Sequence, residues 1–263
     1  MNYFEAKLWR NYLEITPSLE KIKEVLSLED NKLFNDHIAF RSLNCDGFGI
    51  ERLCNPLYNM GYEVKNEYHF KAKKLKAVHL ENKFNPERPK IFISELLLNE
   101  FSPFLRLALH HSICQKEIKA SELYTVGRKW PVNHAVYQRL LQESEYAAWL
   151  YVHGYRVNHF TLNINALRNF SIELLCFKLK QAGFELNDAG TLIKGSEVLG
   201  LKQASTMADS IMVKFDDIKE PVKIPSCYVE FAERFKLKGH LFNGFLVNSA
   251  DKIFESTNLN SAA

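Results

Sequence analysis

Two stretches of the chain repeat each other in register, and each opens with a histidine inside a short apolar strand pattern. The first is Asn35-Asp36-His37-Ile38-Ala39-Phe40-Arg41, which leads through an amphipathic segment to Gly61-Tyr62-Glu63-Val64, twenty-four residues beyond its histidine. The second is Val157-Asn158-His159-Phe160-Thr161-Leu162-Asn163, and Gly183-Phe184-Glu185-Leu186 follows at the same twenty-four-residue interval. Each copy closes on a strand-like run that holds a carboxylate, Ile91-Phe92-Ile93-Ser94-Glu95 in one and Tyr228-Val229-Glu230-Phe231 in the other. A duplicated unit with a His on its first strand and a Glu on its last can build a metal site at its own pseudo-symmetry axis.

The periodicity predicts the order of elements. Residues 1–30 carry a helical stripe through Leu8, Tyr12, Leu19 and Ile22, broken at Pro17, and read as a packing arm. The first module, 33–98, reads as a strand at 36–42 and a helix at 47–60 with Ile50, Leu53, Leu57 and Met60 inward. Gly61 is its C-cap, and strands follow at 62–70, 75–82 and 90–97. The second module, 157–235, reads as a strand at 158–164, a helix at 167–182 ended by Gly183, a hairpin turning at Lys194-Gly195-Ser196, and a closing strand at 226–233. Residues 99–156 read as a helical insertion with helices at 103–116 and 134–152. The segment 236–263 returns across the fold, because Leu241, Phe242, Phe245, Leu246 and Val247 are too apolar to dangle. The expected fold class is α+β, two βαβββ modules with a helical insertion and N-terminal helices, forming a single functional domain over 1–263.

At 263 residues and 46% hydrophobic content the chain can bury a sizeable core. The net charge of +3 comes from scattered Lys and Arg, and its densest cluster, Lys71, Lys73, Lys74 and Lys76, is too short for a basic face, so no nucleic-acid partner is expected. The cysteines at 45, 54, 114, 176 and 227 show no CxxC pair and read as buried, reduced thiols. With no signal-peptide pattern at the N-terminus and no apolar run near 18 residues, the expectation is a cytoplasmic protein with no membrane partner.

Strand alternation sorts the candidate residues. His37, Ala39 and Arg41 share one face of their strand, opposite Ile38 and Phe40, and His159, Thr161 and Asn163 share one face of theirs. Tyr228, Glu230 and Ala232 face together on the last strand, which sets a carboxylate among apolar neighbours unless it is paired or metal-bound. A lone strand histidine is more often a hydrogen-bonded core residue than a ligand, but repetition in matching register turns the balance toward a metal at His37, His159 and Glu230. Two histidines and one carboxylate are the ligand set that leaves three positions open on Fe(II). Arg41 lies four residues from His37, about 13 Å along a strand, so its guanidinium can hold the far end of a short dicarboxylate. Glu95, read as the matching carboxylate of the first module, stands as a fourth ligand or a supporting residue. The adjacent pair His110-His111 cannot chelate together from a helix, and no GxSxG, P-loop or GxGxxG occurs.

The duplication resembles the vicinal-oxygen-chelate architecture, with a mixed sheet around a metal site. Longer strings narrow the likeness: Asp36-His37 with Arg41, Tyr146-Ala147-Ala148-Trp149, the run from His153 through His159 to Thr161, Gln203-Ala204-Ser205-Thr206-Met207-Ala208-Asp209, and Tyr228-Val229-Glu230-Phe231-Ala232-Glu233-Arg234. Together they resemble the 2-oxoadipate dioxygenase/decarboxylase family over nearly the whole chain. The resemblance implies Fe(II) on His37, His159 and Glu230, with Arg41 as the catalytic, substrate-holding residue. It also implies substrate contacts at His37, Arg41, His159 and Val247, the last within a tail, 244–250, that walls the pocket, and supporting roles for Gln203 and Ser205 behind the ligands. The implied reaction takes a small 2-oxo acid, 2-oxoadipate, and dioxygen to 2-hydroxyglutarate and carbon dioxide. Two rivals fit the same residues: a glyoxalase-like divalent-metal isomerase or hydrolase that needs no oxygen, and a non-catalytic ligand-binding module that needs no metal.

Overall fold

In the computed structural model, which describes residues 3–27 and 34–258, the two modules form one eight-stranded mixed sheet. The first module contributes β1 (Asn35–Leu43), helix α3 (Ile50–Asn59), β2 (Tyr62–Phe70), β3 (Leu75–Asn82) and β4 (Lys90–Leu96). The second contributes β5 (Val157–Asn163), α7 (Ile172–Gln181), β6 (Lys194–Ser196), β7 (Leu201–Ser205) and β10 (Tyr228–Arg234). Between β7 and β10 lies a separate hairpin, β8 (Ser210–Val213) with β9 (Val222–Pro225). The strand order is β2-β3-β4-β1-β5-β10-β7-β6, so each module repeats the same internal order outward from the central β1–β5 pair. This is the expected α+β, vicinal-oxygen-chelate-like arrangement of two βαβββ units. The first module's start at 33, the end of the N-terminal stripe at 28–30 and the tail beyond 258 lie outside the described residues.

The helices follow from their apolar faces and caps. Leu53, Cys54 and Leu57 make the buried stripe of α3, which packs on β2 and β4, and Ile172, Leu175, Cys176 and Leu179 do the same for α7 against β7 and β10. Gly61 and Gly183 end the two helices with the same φ of +86°, a left-handed turn that favours glycine. The N-terminal helices α1 (Tyr3–Leu13) and α2 (Ser18–Val25) flank the Pro17 break. From α1, Trp9 and Tyr12 pack on the Phe160 ring at 4.9 and 5.1 Å, on the face of β5 away from the histidines.

Four expectations change. The helix expected at 103–116 is α4 (Pro103–Leu109) continued by a wider π turn over His110–Cys114. The helix expected at 134–152 is two, α5 (His134–Glu143) and α6 (Glu145–His153), because Ser144 adopts extended backbone and caps α6 by accepting from the Ala147 N–H. Lys194-Gly195-Ser196 is a strand and not a turn; the chain reverses over 197–200, where Gly200 N–H donates to Glu197 O. Cys45 and Cys114, with Cα atoms 6.0 Å apart, are joined as a disulfide, while Cys54, Cys176 and Cys227 are free and buried. The reading of five reduced thiols therefore holds for three, and the cytoplasmic expectation loses that part of its support. No helix among the described residues is long and apolar enough to cross a membrane.

Candidate metal centre

Because β1 and β5 run antiparallel at the middle of the sheet, the two histidines of the repeat meet across the duplication axis. His37 pairs with Thr161 and His159 with Ala39, and the imidazoles stand edge to face with centres 5.7 Å apart. Parallel pairing of β10 with β5 sets Tyr228 beside His159 and Glu230 beside Thr161. Glu230 Oε2 lies 2.9 Å from His159 Nε2 and 3.6 Å from His37 Nε2, and the ligand atoms of all three residues fall within 4.8 Å of one another. Ligands in adjacent positions about 2.1 Å from an ion stand about 3 Å apart, so this spacing suits one divalent cation.

Two β-bulges prepare the histidines. The β1–β5 register slips between Asn35 and His37, which leaves Asp36 as an extra residue on β1, and slips back between Ala39 and Phe40, which leaves Asn158 as an extra residue on β5. A bulged residue escapes strict alternation and re-aims its side chain. Each one turns to its own histidine: Asp36 Oδ1 accepts from His37 Nδ1 at 2.8 Å, and Asn158 Oδ1 accepts from His159 Nδ1 at 2.9 Å. The hydrogen-bond network thereby assigns the proton to Nδ1 and leaves Nε2 of each ring aimed at the shared centre.

The charges form a chain through the buried site. Arg234 donates from Nε and Nη2 to Asp36 at 2.6 and 2.9 Å. Burial disfavours the Asp36 carboxylate, but Arg234 and His37 outweigh it and hold the group far below the usual carboxylate range. Glu230 is likewise penalised by burial and held low by His37 and His159. Burial alone would lower both histidines; Glu230 and Asp36 reverse this for His37, which is raised, while His159, without a carboxylate behind it, stays lowered. A bound cation would offset the buried Glu230 carboxylate at the point where the two Nε2 atoms meet it. Gln203 donates to Glu230 Oε1 at 2.6 Å, leaving Oε2 for the centre.

The cavity over these residues is small and is otherwise walled by Phe92, Tyr228, Phe245, Ala250, Ile253 and Phe254. The last four come from the returning segment around helix α8 (Val247–Ile253).

The sequence profile of the 2-oxoadipate dioxygenase/decarboxylase family matches residues 11–129 and 119–239. The chain belongs to this family. A chloroplastic 2-oxoadipate dioxygenase/decarboxylase of Arabidopsis thaliana is 35% identical over 277 residues, covering 94% of this chain and 74% of that protein. The crystal structure of a hydroxyglutarate synthase from Oryza sativa, in complex with 2-oxoadipate, superposes with a TM-score of 0.86 at 33% identity, covering 97% of this chain and 91% of the other. A protein from Shewanella frigidimarina designated a hydrolase superposes with a TM-score of 0.83 at 43% identity, covering 92% and 96% of the two chains.

Among the residues singled out in the sequence, His37, His159, Glu230 and Gln203 meet at one point. Ser205 sits opposite Glu230 in the β7–β10 pairing, but its hydroxyl turns away to Ser256 at 2.8 Å. Arg41 is buried on the cavity side of β1 between the rings of Tyr146 and Trp149, 4.8 and 5.1 Å from its Cζ. Its fork is already engaged, Nη1 by Glu145 at 2.8 Å and Nη2 by the Thr257 hydroxyl at 2.7 Å. The split at Ser144 makes this contact, because it starts α6 at Glu145. Val247, 39% exposed, is not among the cavity-lining residues; Phe245 and Ala250 of the same tail are.

Glu95 is corrected. It pairs with Ser42, five residues after His37, so its mate by register in the second module is Glu233 and not Glu230. Both mates cap the first turn of their module's helix: Glu95 accepts from Ile50 N–H at 2.8 Å, and Glu233 accepts from Ile172 N–H at 3.1 Å. The true mate of Glu230 is Phe92, which pairs with Ala39 two residues after His37 and lines the cavity. One module therefore supplies a carboxylate where the other supplies a ring. The sequence signal for Asp36 and Asn158 is the polar residue that directly precedes each repeated histidine.

Proposed function

We propose that the protein is an Fe(II)-dependent dioxygenase/decarboxylase acting on a 2-oxo dicarboxylic acid, with 2-oxoadipate as substrate and dioxygen as co-substrate. The observation that carries this reading is the convergence of His37, His159 and Glu230 on one face of a family member's central sheet. The reaction balances as 2-oxoadipate plus dioxygen giving 2-hydroxyglutarate and carbon dioxide. Bound Fe(II) would supply dioxygen chemistry and three open positions for dioxygen and the keto and carboxylate oxygens of the substrate.

The chain's own residues do the rest. Asp36 and Asn158 hold the ring orientations, and Gln203 holds the Glu230 carboxylate so that a single oxygen serves the metal. Phe92, Phe245 and Phe254 keep bulk water from the reacting groups. Arg41, always protonated, anchors the carboxylate remote from the metal, which requires the new anion to share the guanidinium with Glu145 or displace it.

Oxygen consumption by the Fe(II)-loaded protein against a panel of 2-oxo acids tests the reading. Stoichiometric loss of dioxygen and release of carbon dioxide with 2-oxoadipate is expected. Turnover without oxygen, or equal activity with Zn(II), would point instead to an isomerase or hydrolase.

A further inference from the structure

Tyr228 opens β10 beside His159 and stacks on its imidazole, with ring centres 4.6 Å apart and 28° between planes. The side chain is fully buried and lines the cavity, yet its hydroxyl meets no hydrogen-bond partner among the described residues. Arg41 Nε, also buried, has no partner among the described residues either, and the guanidinium and the hydroxyl act on each other electrostatically. The other two nitrogens of Arg41 each have a partner, Nη1 in Glu145 and Nη2 in Thr257. Of nine buried side-chain N or O atoms without a partner among the described residues, four belong to this site: Arg41 Nε, Tyr228 OH, Asn158 Nδ2 and Gln203 Oε1. Buried polar groups are normally paired, and leaving a donor unmet is costly, so the unmet Tyr228 hydroxyl in the cavity wall, with the unmet Arg41 N–H of the guanidinium it acts on behind that wall, marks a place built for an acceptor. One of them carries a positive charge, which selects an anionic oxygen.

We propose that Tyr228 is a substrate-binding residue whose hydroxyl donates, beside Arg41 Nε, to the carboxylate of the 2-oxo dicarboxylic acid remote from the metal. The inference rests on the dicarboxylate reading of the substrate. It assigns Tyr228 a part in selecting that second carboxylate, because a donor buried for one partner penalises any substrate that leaves it unmet.

Tyr228→Phe tests this, since it keeps the ring on His159 and removes the hydroxyl alone. The expected result is a fall of roughly 10- to 100-fold in kcat/KM for 2-oxoadipate and in its anaerobic binding to the Mn(II)-loaded protein, read by calorimetry. For 2-oxohexanoate, which has the same length and no distal carboxylate, the change should stay under about twofold. Metal content should not change, and Tm should hold or rise, because no hydrogen bond is lost. Equal losses on both acids, no loss on either, or a marked drop in Tm would overturn the role of Tyr228. A wild-type protein with no preference for 2-oxoadipate over 2-oxohexanoate would overturn the dicarboxylate reading itself, and this one with it.

Discussion

Asp36 accepts a 2.8 Å hydrogen bond from Nδ1 of the histidine that follows it, and its other oxygen takes Arg234 Nε at 2.6 Å. Arg234 also donates to Phe242 O and Gly244 O, so one carboxylate links the orientation of His37 to the segment that carries Phe245 over the cavity. Asp36→Asn keeps an acceptor for His37 but leaves a buried guanidinium unpaired. A loss of about 3–5 kcal/mol in unfolding free energy is expected, with a smaller effect on metal affinity. Urea unfolding of the metal-free proteins, alongside a metal titration, checks both; unchanged stability would break the proposed linkage.

Asn158 holds His159 without any charged partner. Asn158→Ala should therefore show the opposite balance, weakening metal binding about 10- to 100-fold while changing metal-free stability far less than Asp36→Asn. Competition of each variant with a chromophoric chelator measures this, and undiminished affinity would show that the bulge does not orient the ring.

Arg41 and Glu145 should respond in opposite directions. Arg41→Lys removes the planar fork and should raise KM for 2-oxoadipate at least tenfold with metal content intact. Glu145→Gln removes the anion already seated on Nη1 and should lower KM for the dicarboxylate. Steady-state kinetics decide the matter; a rise in KM for Glu145→Gln would mean that the carboxylate positions Arg41 and does not compete for it.

His153 stands apart from the centre, its Nε2 donating to Pro225 O at 2.8 Å, and burial pushes its pKa down to about 3. Since the unfolded chain takes up this proton near pH 6.5 and the folded one does not, the neutral ring contributes stability that is complete above pH 6.5. That contribution falls away as the pH drops toward 3, by about 1.4 kcal/mol per unit in mid-range. His153→Gln keeps a donor for Pro225 and should flatten the decline. Urea midpoints of metal-free protein from pH 7 to 4 provide the comparison, and parallel slopes would contradict it.

The Cys45–Cys114 bond closes a loop with a sequence separation of 69 residues, tying the turn after β1 to the end of the π turn. Cys45→Ser should lower stability under non-reducing conditions by about 2–4 kcal/mol. Adding a reductant should bring the wild type to the same level. If reductant leaves the wild type unchanged, the bond does not form in solution.

Much of the fold was legible because duplication and alternation are one-dimensional signals. The twenty-four-residue spacing from histidine to glycine marked two modules, and both glycines adopt the same left-handed turn. Period-two alternation placed His37 with Arg41 and Tyr228 with Glu230, and those pairs do share the cavity side of the sheet. Alternation cannot see a slip of one residue, however, so the bulges at Asp36 and Asn158, which set the histidine tautomers, were hidden. Nor can it see strand register: Glu95 looked like the mate of Glu230 by composition, and only the pairing with Ser42 made it the mate of Glu233.

Away from the two bulges, the sequence by itself determined which residue types lie on which face of each strand, because side-chain direction along a regular strand follows parity. The tertiary structure decided what those residues meet. Antiparallel pairing of β1 with β5 brought two histidines 122 positions apart to one centre, the Ser144 break delivered Glu145 to Arg41, and a returning tail closed the cavity with Phe245 and Phe254. Each depends on contacts between distant segments, whose energies belong to the packed chain and leave no periodic trace along it.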